Sequence, residues 1–451
     1  MDTIFQAQKT FFATHQTKEI RFRIQNLQKL QSAILKYEPQ LLDALWTDLH
    51  KSDREAYITE IAVVLAEITN HLRHLKRWAK PQRVFTPFFL YPGKSRILPE
   101  PLGVALIIAP WNYPVNLLLN PLVGAISSGC CAILKPSPYT PTVSQVLQQM
   151  IDETFPPQYM ALVQGGRAVN TELLQLPFDF IFYTGSPAVG KVVMKAAAEH
   201  LTPVILELGG KSPCIVDHDA DIQIAARRIA WGKIVNAGQT CIAPDYAFVH
   251  KSVKADFINQ FKIEIENMLG PDIRESRYFA RIVNDKAFHR ITELMKQGTI
   301  CYGGETDASQ RYIAPTIIED VKPDFPIMQE EIFGPILPVM EFETLDEPLN
   351  YVAAHEKPLA FYFFGNNQAA QRALQESTSG GACINDTIMH IANAKLPFGG
   401  VGNSGTGKYH GIHSFLIFSN LRSVLWNKTS PDFKMRYPPY HPFDFIKKSL
   451  K

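Results

Sequence analysis

"GVALIIAPWNYPVNLLLNPLVGAISSGCCAILKP", residues 103–136, is the stretch on which the fold turns. It opens with a short apolar run, "GVALIIAP" (103–110), and closes on another, "CCAILKP" (130–136). Turn formers bound both runs, which predicts two short strands buried on both faces. Between them "VNLLLNPLVGAISSG" has the spacing of a helix. Strand, helix and strand imply a parallel pair joined by a right-handed crossover.

Outward from that unit the rhythm repeats. Residues 140–153 predict a helix, "MALVQGG" and "FDFIFYTGS" (178–186) predict strands, and "PAVGKVVMKAAAEH" is a helix opened by proline. Residues 17–80 read as helices, and 81–101 form a connector or edge strand rich in proline and aromatics. The expectation is an α/β protein. A doubly wound parallel-sheet domain covers 1–80 and 102–208, with ligands at the carboxyl ends of its strands. A second α/β unit begins after "TPVILELGGKSP" (202–213) and covers 209–404. Residues 81–101 and 405–437 make a small bridging β segment, and 438–451 form a C-terminal tail.

At 451 residues, two or three domains are expected, and 46% hydrophobic with 20% charged residues suits a globular protein with a sizeable core. A net charge of +2 gives no footprint for nucleic acid. The cysteines at 130, 131, 214, 241, 301 and 383 have no framework spacing, which points to free thiols in a reducing, cytoplasmic setting. No apolar stretch of about 18 residues is present, so no transmembrane segment is expected. His71 and His74 share a helix face, but the flanking basic residues read as solvated, and no metal site is expected. "LGGKSP" fails as a triphosphate loop because position 205 is Ile where that motif needs glycine.

Three residues carry chemistry when taken together. Cys241, in "NAGQTCIAPDYAFV" (236–249), is a candidate nucleophile. Asn112, on the loop after a predicted strand, offers an amide to a developing oxyanion. Glu207 is a carboxylate inside an apolar strand, either satisfied structurally or tuned as a base. Singly each has a bland reading: a packed cysteine, a turn-capping amide, a hydrogen-bonded strand end. Together they supply the parts of acyl transfer through a thioester. "YTGSPAVGKVV" places Gly185 and Ser186 at a strand–helix turn with Gly190 in the helix, where a phosphate fits. On spacing alone a plain tight turn is the simpler reading.

"APWNYP", "YTGSPAVG", "LELGGKSP", "GQTCIAP", "EEIFGP" and "PFGGVGNSG" occur in that order, and the chain resembles the NAD(P)-dependent aldehyde dehydrogenase superfamily over nearly its whole length. "RRIAWGK", "RYIAPT" and "GVGNSGTGKYHG" are most similar to its class 3 branch of fatty and aromatic aldehyde dehydrogenases. The resemblance implies Cys241 as nucleophile, Asn112 with the Cys241 N–H as oxyanion hole, and Glu207 as the base for thioester hydrolysis. It implies a cofactor site of Trp111, Lys135, Gly185, Ser186, Gly190, Leu208, Glu331 and Phe333. Medium- or long-chain aliphatic or aromatic aldehydes would enter past Tyr113, Trp231 and Ile391. It also implies a homodimer built through the bridging segment. A CoA-acylating relative has no use for Glu207, and a silent homologue would be expected to lack one of the three residues. The sequence departs from the pattern at Pro138, where many members carry an acidic residue on the adenosine ribose; NADP is therefore expected to be accepted alongside NAD, with Lys135 facing its phosphate.

Overall fold

A computed structural model describes residues 1–440 together with Lys447 and Lys448. Most of the expected tail therefore lies outside the described residues.

The strands in chain order are β1 (Gln82–Val84), β2 (Lys94–Pro101), β3 (Val104–Ile108), β4 (Cys131–Lys135), β5 (Met160–Leu162), β6 (Phe180–Gly185), β7 (Val204–Leu208), β8 (Pro213–Val216), β9 (Tyr246–His250) and β10 (Thr299–Tyr302). There follow β11 (Thr306–Asp307), β12 (Tyr312–Ile313), β13 (Thr316–Glu319), β14 (Ile336–Phe342), β15 (Ala360–Phe364), β16 (Gly381–Ile384), β17 (Gly405–Thr406) and β18 (Ser419–Trp426).

The opening stretch is β3, the helix Asn116–Ser128 and β4, with every residue of both strands buried. β3 pairs in parallel with β4 on one side and β6 on the other. The sheet order is β17-β7-β6-β3-β4-β5, so the chain reverses direction of growth between β3 and β6. That is a topological switch point, where a crevice opens beyond the strand ends. The second sheet runs β10-β13-β14-β9-β8-β15-β16 and is parallel apart from β10. β7 leads straight into β8 through Gly209–Ser212, so the two sheets meet at the end of the strand that carries Glu207.

The remaining small sheet is β1-β2-β18, with β18 antiparallel to β2 from Ser419↔Pro101 to Trp426↔Lys94. The segment from 405 divides more finely than expected. β17 pairs antiparallel with β7, setting Gly405 opposite Glu207, and the helix Ile412–Ile417 follows before β18 begins. Only β18 joins the connector strands, because Gly405 has no side chain to keep it from the β7 backbone; a Cβ there would lie 2.2 Å from Leu206 O.

Candidate active site

Three strand ends of the first sheet deliver Trp111, Asn112 and Tyr113 (after β3), Gly185 and Ser186 (end of β6), and Glu207 (in β7). The segment bearing Cys241 arrives from the second unit. Before it, Asn236 and Ala237 both have φ +51° and Gly238 has φ +73°. Non-glycine residues in this region cost about 1–3 kcal/mol each and persist only when their surroundings over-determine them. Here the surroundings do. The Asn236 N–H donates to Glu55 Oε1 at 2.8 Å and its Nδ2 donates to Asn112 O at 2.9 Å. Gln239 Nε2 donates to Arg281 O at 3.0 Å, while its Oε1 accepts from the Val283 N–H at 3.0 Å. Tyr113 Oη and Thr240 Oγ1 share a 2.6 Å hydrogen bond.

Asn112 is 3% exposed and its Nδ2 donates to Gln239 O at 3.0 Å, two residues from Cys241. Its carbonyl accepts from Lys51 Nζ at 3.0 Å. Lys51 is fully buried, pairs with Glu60 at 2.7 Å and lies 4.2 Å from the centre of the Tyr113 ring. Glu60 Oε2 in turn accepts the N–H groups of Val115 and Asn116 at 3.1 and 3.0 Å. A carboxylate on those N–H groups completes the start of the helix Asn116–Ser128.

Cys241 is half-buried; burial first, and then the charges of Glu331 and Glu207, push its thiol up. Glu207 is 3% exposed, and neither carboxyl oxygen has a hydrogen-bond partner. Burial raises it well above the carboxylate range, against the opposing pull of Lys408. An unpaired buried carboxyl is costly, and groups held so are found where a proton must move.

Glu331 is pushed up to about 8 by burial and by Asp245, against the Gly210 N–H and Lys211. A Cβ on Gly209 would lie 2.1 Å from Glu331 Oε2, so the carboxyl rests on bare backbone that only glycine provides. Lys211 joins three of the quoted motifs: it bonds Asp245 and donates to Glu330 O at 3.0 Å, and Asp245 Oδ1 accepts the Ile332 N–H at 2.9 Å. Beside Glu331 a cavity of about 290 Å³ is lined by Gly209, Gly210, Lys211 and Tyr246 among others. Phe333 meets Trp111 edge to face at 5.4 Å and 80°.

Ser186 caps the helix Pro187–Ala198, accepting the Val189 N–H at 3.5 Å, and leaves that helix start exposed beside the crevice. This geometry suits a phosphate group. Two cofactor expectations change. Gly190 is buried against Leu208, where a Cβ would lie 2.7 Å from Leu208 Cδ2, so both residues serve helix–strand packing. Lys135 does not face outward: it is 1% exposed, donates to Pro136 O at 2.6 Å, and is lowered to about 8 by desolvation. Pro138 is exposed at the end of the same turn. Of the expected funnel residues, Tyr113 stands beside Thr240 and Cys241, whereas Trp231 and Ile391 are half-buried against the core.

Lys51, Glu55, Glu60 and Lys408 were not anticipated. A signal existed for Glu60: with Ala56, Val64 and Ile68 it lies on one buried stripe, where a charge demands a partner. His71 is on that stripe too. It is fully buried and bonded to Glu67 at 3.0 Å, which corrects the solvated face expected for it. The basic neighbours Arg73, Lys76 and Arg77 occupy the opposite, exposed side.

Three comparisons agree with the fold. The model of the aldehyde dehydrogenase family matches residues 1–424. The chain is 48% identical to 4,4'-diaponeurosporen-aldehyde dehydrogenase of Staphylococcus aureus, covering 99% of this chain and 98% of that one. It is 44% identical to the rat "aldehyde dehydrogenase, dimeric NADP-preferring", covering 97% of each. A solved structure described as the substrate-bound state of Staphylococcus aureus AldH superposes with a TM-score of 0.98 at 47% identity, over 100% of this chain and 99% of that one. By its sequence over residues 1–424 and by its fold, the chain belongs to the aldehyde dehydrogenase family.

Proposed function

We propose that the chain oxidises a medium- or long-chain aliphatic or aromatic aldehyde to its carboxylic acid with NAD or NADP, through a covalent intermediate on Cys241. The observation that carries this reading is Glu207, whose two unpartnered carboxyl oxygens are buried within electrostatic reach of the Cys241 thiol. Cys241 attacks the aldehyde carbon and gives up its thiol proton to solvent, which leaves Glu207 free for the later step. The Asn112 amide and the Cys241 N–H receive the resulting oxyanion, worth about 2.7–4 kcal/mol per donor in comparable sites. Asn112 is held for this by Lys51 and Gln239.

A bound nicotinamide would supply the two-electron hydride acceptor that the oxidation needs, and Cys241 would then carry the acyl group as a thioester. The residues present fit such a cofactor: the capped helix start at Ser186 for phosphate, Glu331 over Gly209 for a ribose diol, and Trp111 with Phe333 for the ring. Glu207 then takes a proton from water, which adds to the acyl carbon, and the carbon–sulfur bond breaks. A base at this position favours water over CoA as acyl acceptor. The reading extends to a cytoplasmic homodimer whose two copies meet through the sheet of β1, β2 and β18. Among the described residues no helix is long and apolar enough to cross a membrane.

Mass spectrometry tests the central step. Glu207→Gln protein mixed with a long-chain aldehyde and NADP should accumulate an acyl group on Cys241, and Cys241→Ala should acquire none. A Glu207→Gln protein that turns over freely with no adduct would overturn the mechanism.

A further inference from the structure

Lys408 has no place in the chemistry above, yet it shares a notch with Glu207. A methyl group placed on Gly399 would lie 2.7 Å from Glu207 Oε1 and 3.1 Å from Lys408 Cδ, so carboxyl and lysine stem crowd the same bare backbone. The Lys408 amine is anchored there, donating to Gly380 O at 2.7 Å and to Gly399 O.

The segment carrying it is fixed on three sides. β17 sets Gly405 opposite Glu207, and Phe398 and Tyr409 exchange backbone hydrogen bonds at 3.0 and 2.8 Å. Glu67, held by His71, accepts the Gly411 N–H at 2.6 Å. Lys408 is thereby held next to a carboxyl whose own oxygens have no hydrogen-bond partner.

The groups around Glu207 leave Lys408 as the countercharge. Cys241 and Tyr409 couple to Glu207 but carry protons, each pushed up by burial. His390 and His410 are lowered to about 4 by desolvation, so both are neutral near pH 7. Glu331 faces the thiol from the other unit but, pushed up to about 8 chiefly by burial, is largely neutral near pH 7 and is never positive. Among the described residues Lys408 is the group that opposes the burial of Glu207.

We infer that Lys408 is a positioning residue for Glu207, its anchored ammonium setting the pH at which that carboxylate accepts a proton from the hydrolytic water. The inference rests on the reading of Glu207 as the base. The Lys408 charge lowers the Glu207 carboxyl against its burial, and an opposite charge within about 4–6 Å is worth about 1–3 pH units in a carboxyl. Water adds to the acyl carbon, its proton moves to Glu207, and the sulfur leaves and is reprotonated from there. The lysine transfers nothing; it stabilises the ionised carboxyl on which the step depends.

An activated ester isolates this step without cofactor, because p-nitrophenyl acetate acetylates the same sulfur and releases p-nitrophenolate. Decay of the acetyl-enzyme is followed by quench and mass spectrometry between pH 5 and 9. In Lys408→Gln, which keeps a hydrogen-bond donor and removes the charge, the acid limb of deacylation should move alkaline by about one unit. Lys408→Arg should return it toward the wild-type position, and the acylation burst reports an intact Cys241 in every variant. Glu207→Gln is the control for the underlying reading and should acetylate without deacylating. If Glu207→Gln deacylates at the wild-type rate, the base assignment fails. If it is arrested while the Lys408→Gln limb overlays wild type, the inference about Lys408 alone fails. Should Lys408→Gln not fold, Lys408→Met decides, since it keeps the length of the stem and removes the charge: an acid limb that overlays wild type assigns Lys408 a structural role only and overturns the inference.

Discussion

Pro138 carries a cofactor choice in one side chain. It is exposed at the turn after β4, at the position where the family resemblance implies an acidic residue on the adenosine ribose in many members. A carboxylate there repels a 2′-phosphate, and its loss removes both that repulsion and a hydrogen bond to the 2′-hydroxyl. Lys135 cannot supply the missing attraction while its amine is turned onto Pro136 O. Tolerance of NADP thus rests on removed repulsion, and both cofactors should be used. Pro138→Glu should move the ratio of kcat/KM for NADP over NAD toward NAD by about tenfold or more, tenfold being about 1.4 kcal/mol. Steady-state kinetics with both cofactors decides it, and an unchanged ratio ends the argument. At this scale the sequence shows Cys241, Glu207 and Asn112 because short motifs surround each. It hides where a long side chain turns, as at Lys135, since that depends on neighbours from other strands.

At the scale of elements, the strands β3, β4 and β6 are legible because both faces are buried and every residue in the run is apolar or nearly so. The two-residue β17 is not, for its pairing comes from a glycine opposite Glu207 and not from any pattern. The Lys51–Glu60 pair is hidden for a related reason. Its members are nine residues apart, and what they support, the Asn112 carbonyl and the helix from Asn116, lies more than fifty residues away. Breaking a buried pair on one side costs about 3–5 kcal/mol, because the remaining charge is left uncompensated. Lys51→Met should therefore lower the urea midpoint strongly and reduce the rate of Cys241 acylation through Asn112. Lys51→Met with Glu60→Gln should recover part of the stability, since the Glu60 charge is then no longer left unpaired. A single variant within about 1 kcal/mol of wild type would show that the pair supports neither element.

Across the whole molecule the unresolved demand is the small sheet. Among the described residues β18 is an edge strand, and its open side presents unpaired backbone groups. In the β1–β2 connection Phe85, Phe88 and Phe89 are 88%, 90% and 71% exposed, and on β18 Trp426 is 70% exposed with Leu421 and Leu425 nearly half exposed. Contiguous apolar surface rarely stays bare on a soluble protein. A second copy of the chain satisfies both needs, pairing an open strand and covering the aromatics, and closed two-fold pairing leaves no further edge to propagate. Light scattering should give about twice the 50.8 kDa of one chain. Leu425→Asp with Trp426→Asp places two charges in the middle of the contact and should release monomers that still acetylate Cys241, because every residue of the catalytic set comes from one chain. A wild-type protein that runs at 50.8 kDa at micromolar concentration would refute the dimer and leave the exposed aromatics to another partner.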